Sequence, residues 1–148
     1  MSLFIMLIQE AGILFHGTPI VFTNYYKAGN INLKLICKSK LIRELLSFSK
    51  CILPPIEYFE GTDYSIVIKK GFLINKNGEK QEIFAFVVLD KDYNLERYLN
   101  LKVMPLLEEL LSEFSYQYSG NELLKINAFE DFKTTINKVL EPYQMLKV

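Results

Sequence analysis

The sequence predicts an α/β (α+β) domain built on a mainly antiparallel sheet. Three observations lead there. Two runs, Leu3 to Ile8 and Ile83 to Leu89, are apolar at every position, which describes strands covered on both faces. Asn75-Lys76-Asn77-Gly78 is a hairpin signal, because Asn and Gly tolerate the positive φ of tight turns. Downstream, apolar residues recur at helical spacing in two segments.

Leu3 to Ile8 reads as a first, central strand. Glu10-Ala11-Gly12 reads as a turn, and Ile13-Leu14-Phe15-His16 as a second strand pairing back on the first. Gly17-Thr18-Pro19 interrupts it, and Ile20-Val21-Phe22 resumes it. Ser39 is a suitable N-cap for a helix carrying Leu41, Leu45 and Phe48, which Pro54-Pro55 stops. Ile56 to Glu60 is a short strand, and Gly61-Thr62-Asp63 a turn or bulge. Tyr64 to Lys69 alternates, with Tyr64, Ile66 and Ile68 on one face, and Phe72-Leu73-Ile74 follows Gly71.

Leu95 to Tyr118 is mainly helical. Leu99, Val103, Leu106, Leu107, Leu110, Leu111 and Phe114 form its stripe, opposite Glu108, Glu109 and Glu113. Pro105 either kinks this helix or opens a new segment as its first residue. Gly120 is the expected stop. A last helix shows Phe129, Phe132, Ile136, Val139 and Leu140 on one face, and Pro142 is expected to end it. The order is β-β-α-β-β-β-α-α. It implies a five-stranded sheet with the first helix on one face and the last two on the other.

The chain has 148 residues, which fits one domain spanning 1–148. The hydrophobic fraction of 50% excludes a disordered chain, which lacks the apolar surface to offset its ordering entropy. Seventeen basic residues balance seventeen acidic ones, so no global field draws in nucleic acid or anionic lipid. Lys34, Lys38, Lys40 and Arg43 read as a solvated helix edge. Cys37 and Cys51 lie too far apart for a CxxC motif and sit among apolar residues, so they read as small buried hydrophobes. The N-terminal apolar run has no preceding basic residue and is too short for a membrane span. These features fit a cytoplasmic protein that reaches membranes, if at all, through partners.

Signatures of catalysis are missing. The single histidine, His16, reads as structural. Neither GxGxxG nor GxxxxGK[ST] occurs. Asp90, Asp92 and Glu96 lack the calcium-loop pattern and read as a solvated turn. No cofactor or metal is expected. The tyrosines carry more information: Tyr25-Tyr26 and Tyr116 with Tyr118 are candidates for interface anchors as much as for core.

The element order resembles the longin fold. Phe86-Val87-Val88-Leu89-Asp90-Lys91-Asp92-Tyr93, followed by Leu106-Leu107-Glu108-Glu109-Leu110-Leu111-Ser112-Glu113-Phe114, is similar to the longin stretch in which an apolar strand ends in an acidic turn and leads to a Leu-rich helix. The opening hairpin with the Lys40-to-Phe48 helix is similar too, as is Gly61-Thr62-Asp63-Tyr64 leading into the middle strands. The chain departs from longin SNAREs in ending at Val148 with neither a heptad-patterned helix nor an anchor, and in extra residues between Tyr93 and Pro105. The resemblance implies a stand-alone longin domain, with the roadblock fold as near rival. It implies a non-enzymatic protein-interaction module. Its partner would be a small GTPase or another longin/roadblock subunit, in a membrane-trafficking or GTPase-regulatory complex, and both homo- and heterodimers stay open. The implied surface is Leu41, Leu45 and Phe48 with Tyr58, Tyr64 and Ile66, a superset because some of these must face the core. The alternative is a ligand-binding sensor of PAS-like architecture, which needs a cavity of about 300 Å³ or more.

Overall fold

A computed structural model describes residues 8–15, 18–24, 58–60, 64–90, 102–120 and 129–144. The described residues are α+β, with an antiparallel sheet and two helices. The sheet rests on four long strands: β1 (Ile8–Phe15), β2 (Thr18–Asn24), β4 (Tyr64–Ile74) and β5 (Lys80–Asp90). A three-residue strand, β3 (Tyr58–Glu60), pairs at the edge of β4. The spatial order is β2-β1-β5-β4-β3. β5 is therefore central, which explains why Ile83 to Leu89 is apolar on both faces and wholly buried.

The first hairpin differs from its expected form. Glu10-Ala11-Gly12 is not a turn. It lies in the middle of β1, which runs unbroken from Ile8 to Phe15. The chain reverses between Phe15 and Thr18, which pair with each other. Gly12 serves close approach instead of reversal. A Cβ there would stand 2.7 Å from Phe22 Cβ, nearer than two carbons pack. Gly12 pairs with Phe22 on one side and Phe86 on the other, so the missing side chain leaves room between two phenylalanines.

Two irregularities bend β1 and its neighbours. Between Ile8↔Leu89 and Glu10↔Val88, Gln9 is the extra residue; between Ile13↔Val21 and Leu14↔Pro19, Ile20 is. Such bulges re-aim side chains. Ile20 joins the same core cluster as Val21, and the Gln9 amide donates to the Asp90 carboxylate.

The β4–β5 hairpin closes as its sequence predicts. Gly78 takes a φ of 79°, and its N–H donates to Asn75 O at 3.0 Å. Asn75 Oδ1 accepts from the Asn77 and Glu79 N–H groups, both at 2.9 Å. Gly71 does not break β4, an eleven-residue strand. It lets α1 (Met104–Tyr118) lie close, since a Cβ there would meet Leu111 Cδ2 at 2.8 Å.

Pro105 falls in the first turn of α1, where its missing N–H would have no intrahelical partner anyway. Lys102 and Val103, just ahead of it, form a π-helical turn that leads into α1, and the earlier part of the expected helix, from Leu95, lies outside the described residues. The stripe from Val103 to Phe114 is buried, and Glu108, Glu109 and Glu113 are exposed. Gly120 follows the C-cap with a φ of 91°. Its N–H donates to Ile74 O at 2.7 Å, tying the end of α1 to the end of β4. The second helix, α2 (Phe132–Gln144), buries Phe132, Ile136, Val139 and Leu140. Pro142 does not end it: the helix continues to Gln144. Proline's lost bond falls in the last turn, where only a few residues follow to feel it.

Both helices serve one face of the sheet, α1 over β4 and β5, α2 over β2 and β1. Ala11, Ile13, Val67, Ala85 and Val87 meet Leu106, Leu110, Phe114 and Phe132 there. Phe114 is the hub, with ring centroids of Tyr118, Phe129 and Phe132 at 4.9, 5.4 and 5.0 Å. The opposite face carries a second buried cluster of Leu14, Ile66, Ile68, Phe84, Phe86 and Val88. The helix expected over Leu41 to Phe48, the strand expected to begin at Leu3 and the Gly61 turn lie outside the described residues.

Tyr118 adds a pH dependence. Burial pushes its phenol above the ordinary tyrosine range, and the Asp131 carboxylate pushes the same way, against a backbone hydrogen bond at Phe132. The unfolded tyrosine therefore loses its proton first as pH rises. Stability from this group is full below pH 10 and lost as pH climbs through the raised folded value. Tyr118→Phe should flatten the alkaline limb of a urea-denaturation profile against pH; an unchanged limb would refute this.

Candidate partner-binding surface

Of the six residues expected to bind a partner, Leu41, Leu45 and Phe48 lie outside the described residues. Tyr58 and Tyr64 are placed by backbone only. Tyr58 pairs with Val67 and Tyr64 with Asp90, at the same end of the sheet. Ile66 is fully buried in the second core cluster. It is one of the core-facing members of that set and offers no side chain to a partner.

Exposed apolar surface lies at the other end of β4. Phe72 and Ile74 are 46% and 40% exposed, and they share a face with Lys70 because side chains alternate along a strand. Across the hairpin, Glu82 pairs with Phe72 and Lys80 with Ile74. Lys70 Nζ lies 3.3 Å from Glu82 Oε2. Both lysines approach the Phe72 ring, Lys80 at 5.0 Å and Lys70 at 5.9 Å from its centroid. Each such contact contributes about 0.5–1 kcal/mol at an exposed site, so the ring is held between two cations. On the helix side, Lys69 Nζ reaches Glu108 at 3.6 Å and links β4 to α1.

Reading the residues alone missed this patch. Phe72 and Ile74 look like ordinary strand residues in sequence. The signal available was Lys70, which shares their parity and marks that end of the face as solvated. Tyr116, 89% exposed, and Tyr118, buried, split a pair that the sequence left undecided.

A polar group is buried at the Tyr64 end. Gln9, Glu10 and Ser65 are nearly or wholly inaccessible, and Gln9 bonds Asp90. Ser65 Oγ has no hydrogen-bond partner among the described residues. Its burial costs free energy that nothing returns. Ser65→Ala should therefore raise stability by about 1 kcal/mol, read as a higher urea midpoint at unchanged slope. A lower midpoint would show that the hydroxyl is satisfied.

No set of three or more His, Cys, Asp or Glu side chains fit to hold a metal occurs among the described residues. His16, Asp92, Glu96 and both cysteines are outside them. No described helix is long and apolar enough to cross a membrane. No family model matches the chain, and no curated protein matches it.

Proposed function

We propose that the chain is a protein-interaction module of the longin type. It binds a small GTPase or a further longin/roadblock subunit in a membrane-trafficking or GTPase-regulatory complex, and does no chemistry of its own. The observation that carries this reading is the element order: a hairpin, then further antiparallel strands ending in the doubly buried β5, then two helices on one face. That order follows the resemblance in the Phe86-to-Tyr93 and Leu106-to-Phe114 stretches. The docking surface in this reading is made of Leu41, Leu45 and Phe48 together with Tyr58 and Tyr64.

Affinity purification of the full chain with mass spectrometry, followed by titration with the purified candidate, tests the proposal. The expected result is a small GTPase or a longin/roadblock subunit that binds the purified chain directly. Binding should weaken at least tenfold on Leu45→Asp or Phe48→Asp, in whichever variant keeps the native circular dichroism. A monomer that retains no such protein, or saturable uptake of a small molecule into its interior, would overturn it.

A further inference from the structure

Seventeen basic residues balance seventeen acidic ones over the whole chain, yet the charges of the described surface are segregated. On the β4–β5 ribbon from Lys69 to Glu82, four lysines stand with two glutamates. On α1 from Pro105 to Gly120, three glutamates stand with no cation. Among the described residues, the exposed large hydrophobics are Phe72, Ile74 and Tyr116. Two fall on the basic ribbon and one on the acidic helix. Apolar surface therefore sits where charge is concentrated, once with each sign.

The two patches point to opposite sides of the domain. Lys70, Phe72 and Ile74 share a sheet face with Ile66 and Ile68, the face that carries the second core cluster. On it Lys80 stands across from Ile74, and Lys70 and Lys80 flank the Phe72 ring. α1 covers the other face and turns Leu107, Leu110, Leu111 and Phe114 into the core there. Glu109, Glu113 and Tyr116 follow one another four and three positions apart, so they line one stripe, and all three are exposed on the solvent side of the helix.

We propose that the basic ribbon of one copy docks on the acidic α1 stripe of a second copy, so that the chain self-associates head to tail. Phe72 and Ile74 meet Tyr116, while Lys70 and Lys80 meet Glu109 and Glu113. A two-fold dimer cannot satisfy both patches at once, because they face opposite ways. The contact is heterologous: each copy keeps one patch free, and association continues into a ring or an open array. A few side chains on each side make a contact smaller than the roughly 1,200 Å² of stable complexes, so association is weak and depends on concentration. An anionic membrane is the rival occupant of the ribbon. It would repel the α1 stripe and leave the exposed Tyr116 without a role, whereas a second copy uses both patches. The inference does not rest on the longin reading and uses a different part of the surface.

Sedimentation velocity of the full chain, from micromolar to millimolar concentration, tests this. Species larger than the monomer are expected. Their association should weaken at least tenfold when salt shortens the screening length from about 30 Å to about 3 Å. Two variants separate the patches. The ribbon variant carries Phe72→Thr and Lys80→Thr, which suit a strand. The helix variant carries Glu113→Ala and Tyr116→Ala, which suit a helix. All four side chains are exposed, and an unchanged thermal midpoint confirms that each variant is folded. If the ribbon variant's midpoint falls, Lys70→Thr with Lys80→Thr replaces it. Neither variant should associate alone. Mixed, they should form a one-to-one dimer and nothing larger, because one supplies the intact stripe and the other the intact ribbon. A wild-type chain that stays monomeric at millimolar concentration, a folded variant that still self-associates, a mixture that stays monomeric, or a monomeric chain that binds phosphatidylserine vesicles through Phe72 would each overturn the proposal. Capture of a GTPase should be indifferent to both variants, so the two proposals fail separately.

Discussion

Phe114→Ala is expected to cost about 3–5 kcal/mol of folding stability. Phe114 is fully buried and touches three other rings, one edge-on at 88° to Phe132. Truncation removes its transfer free energy and opens a cavity where α1, the Phe129 turn and α2 converge. Tyr118 and Phe129, themselves edge-on at 75°, pack against the same space and cannot both fill it. Phe114→Leu should recover part of the loss, because it restores volume without the ring geometry. Equilibrium urea denaturation monitored by circular dichroism measures both variants. A loss below about 1 kcal/mol for alanine would mean that the two helices repack freely, contrary to the ring contacts described.

Gly12→Val should be as damaging by the opposite route. Overpacking a filled interior costs about 1–3 kcal/mol and occasionally more. Here the clash is with the Cα and Cβ of Phe22 at 2.8 and 2.7 Å, so no side-chain rotation relieves it, and β2 must move. At Gly71 the neighbour is the flexible end of Leu111, so Gly71→Ala should cost less. Expression of the three proteins side by side, with denaturation midpoints, checks the order: wild type, then Gly71→Ala, then Gly12→Val. Equal midpoints for the two variants would show that β2 is not held at Gly12 as the pairing implies.

The helices and the second hairpin were legible in the sequence because a local pattern determines each. The stripe from Val103 to Phe114 repeats at helical spacing, and Asn75 and Gly78 meet the backbone needs of a tight turn within four residues. The first hairpin was not. Glu10-Ala11-Gly12 has turn composition, yet its glycine answers to Phe22, a contact made only once β1 and β2 are paired. Pro142 misled for a related reason, since one lost bond is tolerated when α2 already packs through Ile136 and Leu140. The exposed patch of Phe72 between Lys70 and Lys80 was least legible, because it depends on how β4 and β5 pair, and register is a property of pairs of strands.

The bond between Gln9 and Asp90 spans 81 positions, and the β1–β5 ladder beside it is the centre of the sheet. The β4–β5 hairpin closes through a turn of about five residues. Loop-closure entropy rises by about 0.6 kcal/mol per doubling of length, so the four doublings between the two loops add about 2.4 kcal/mol to the cost of starting the central ladder. On loop entropy the hairpin is expected to assemble before β1 docks. Late docking of β1 makes the order of assembly depend on β1 and β2, the pair that Gly12 allows to approach closely.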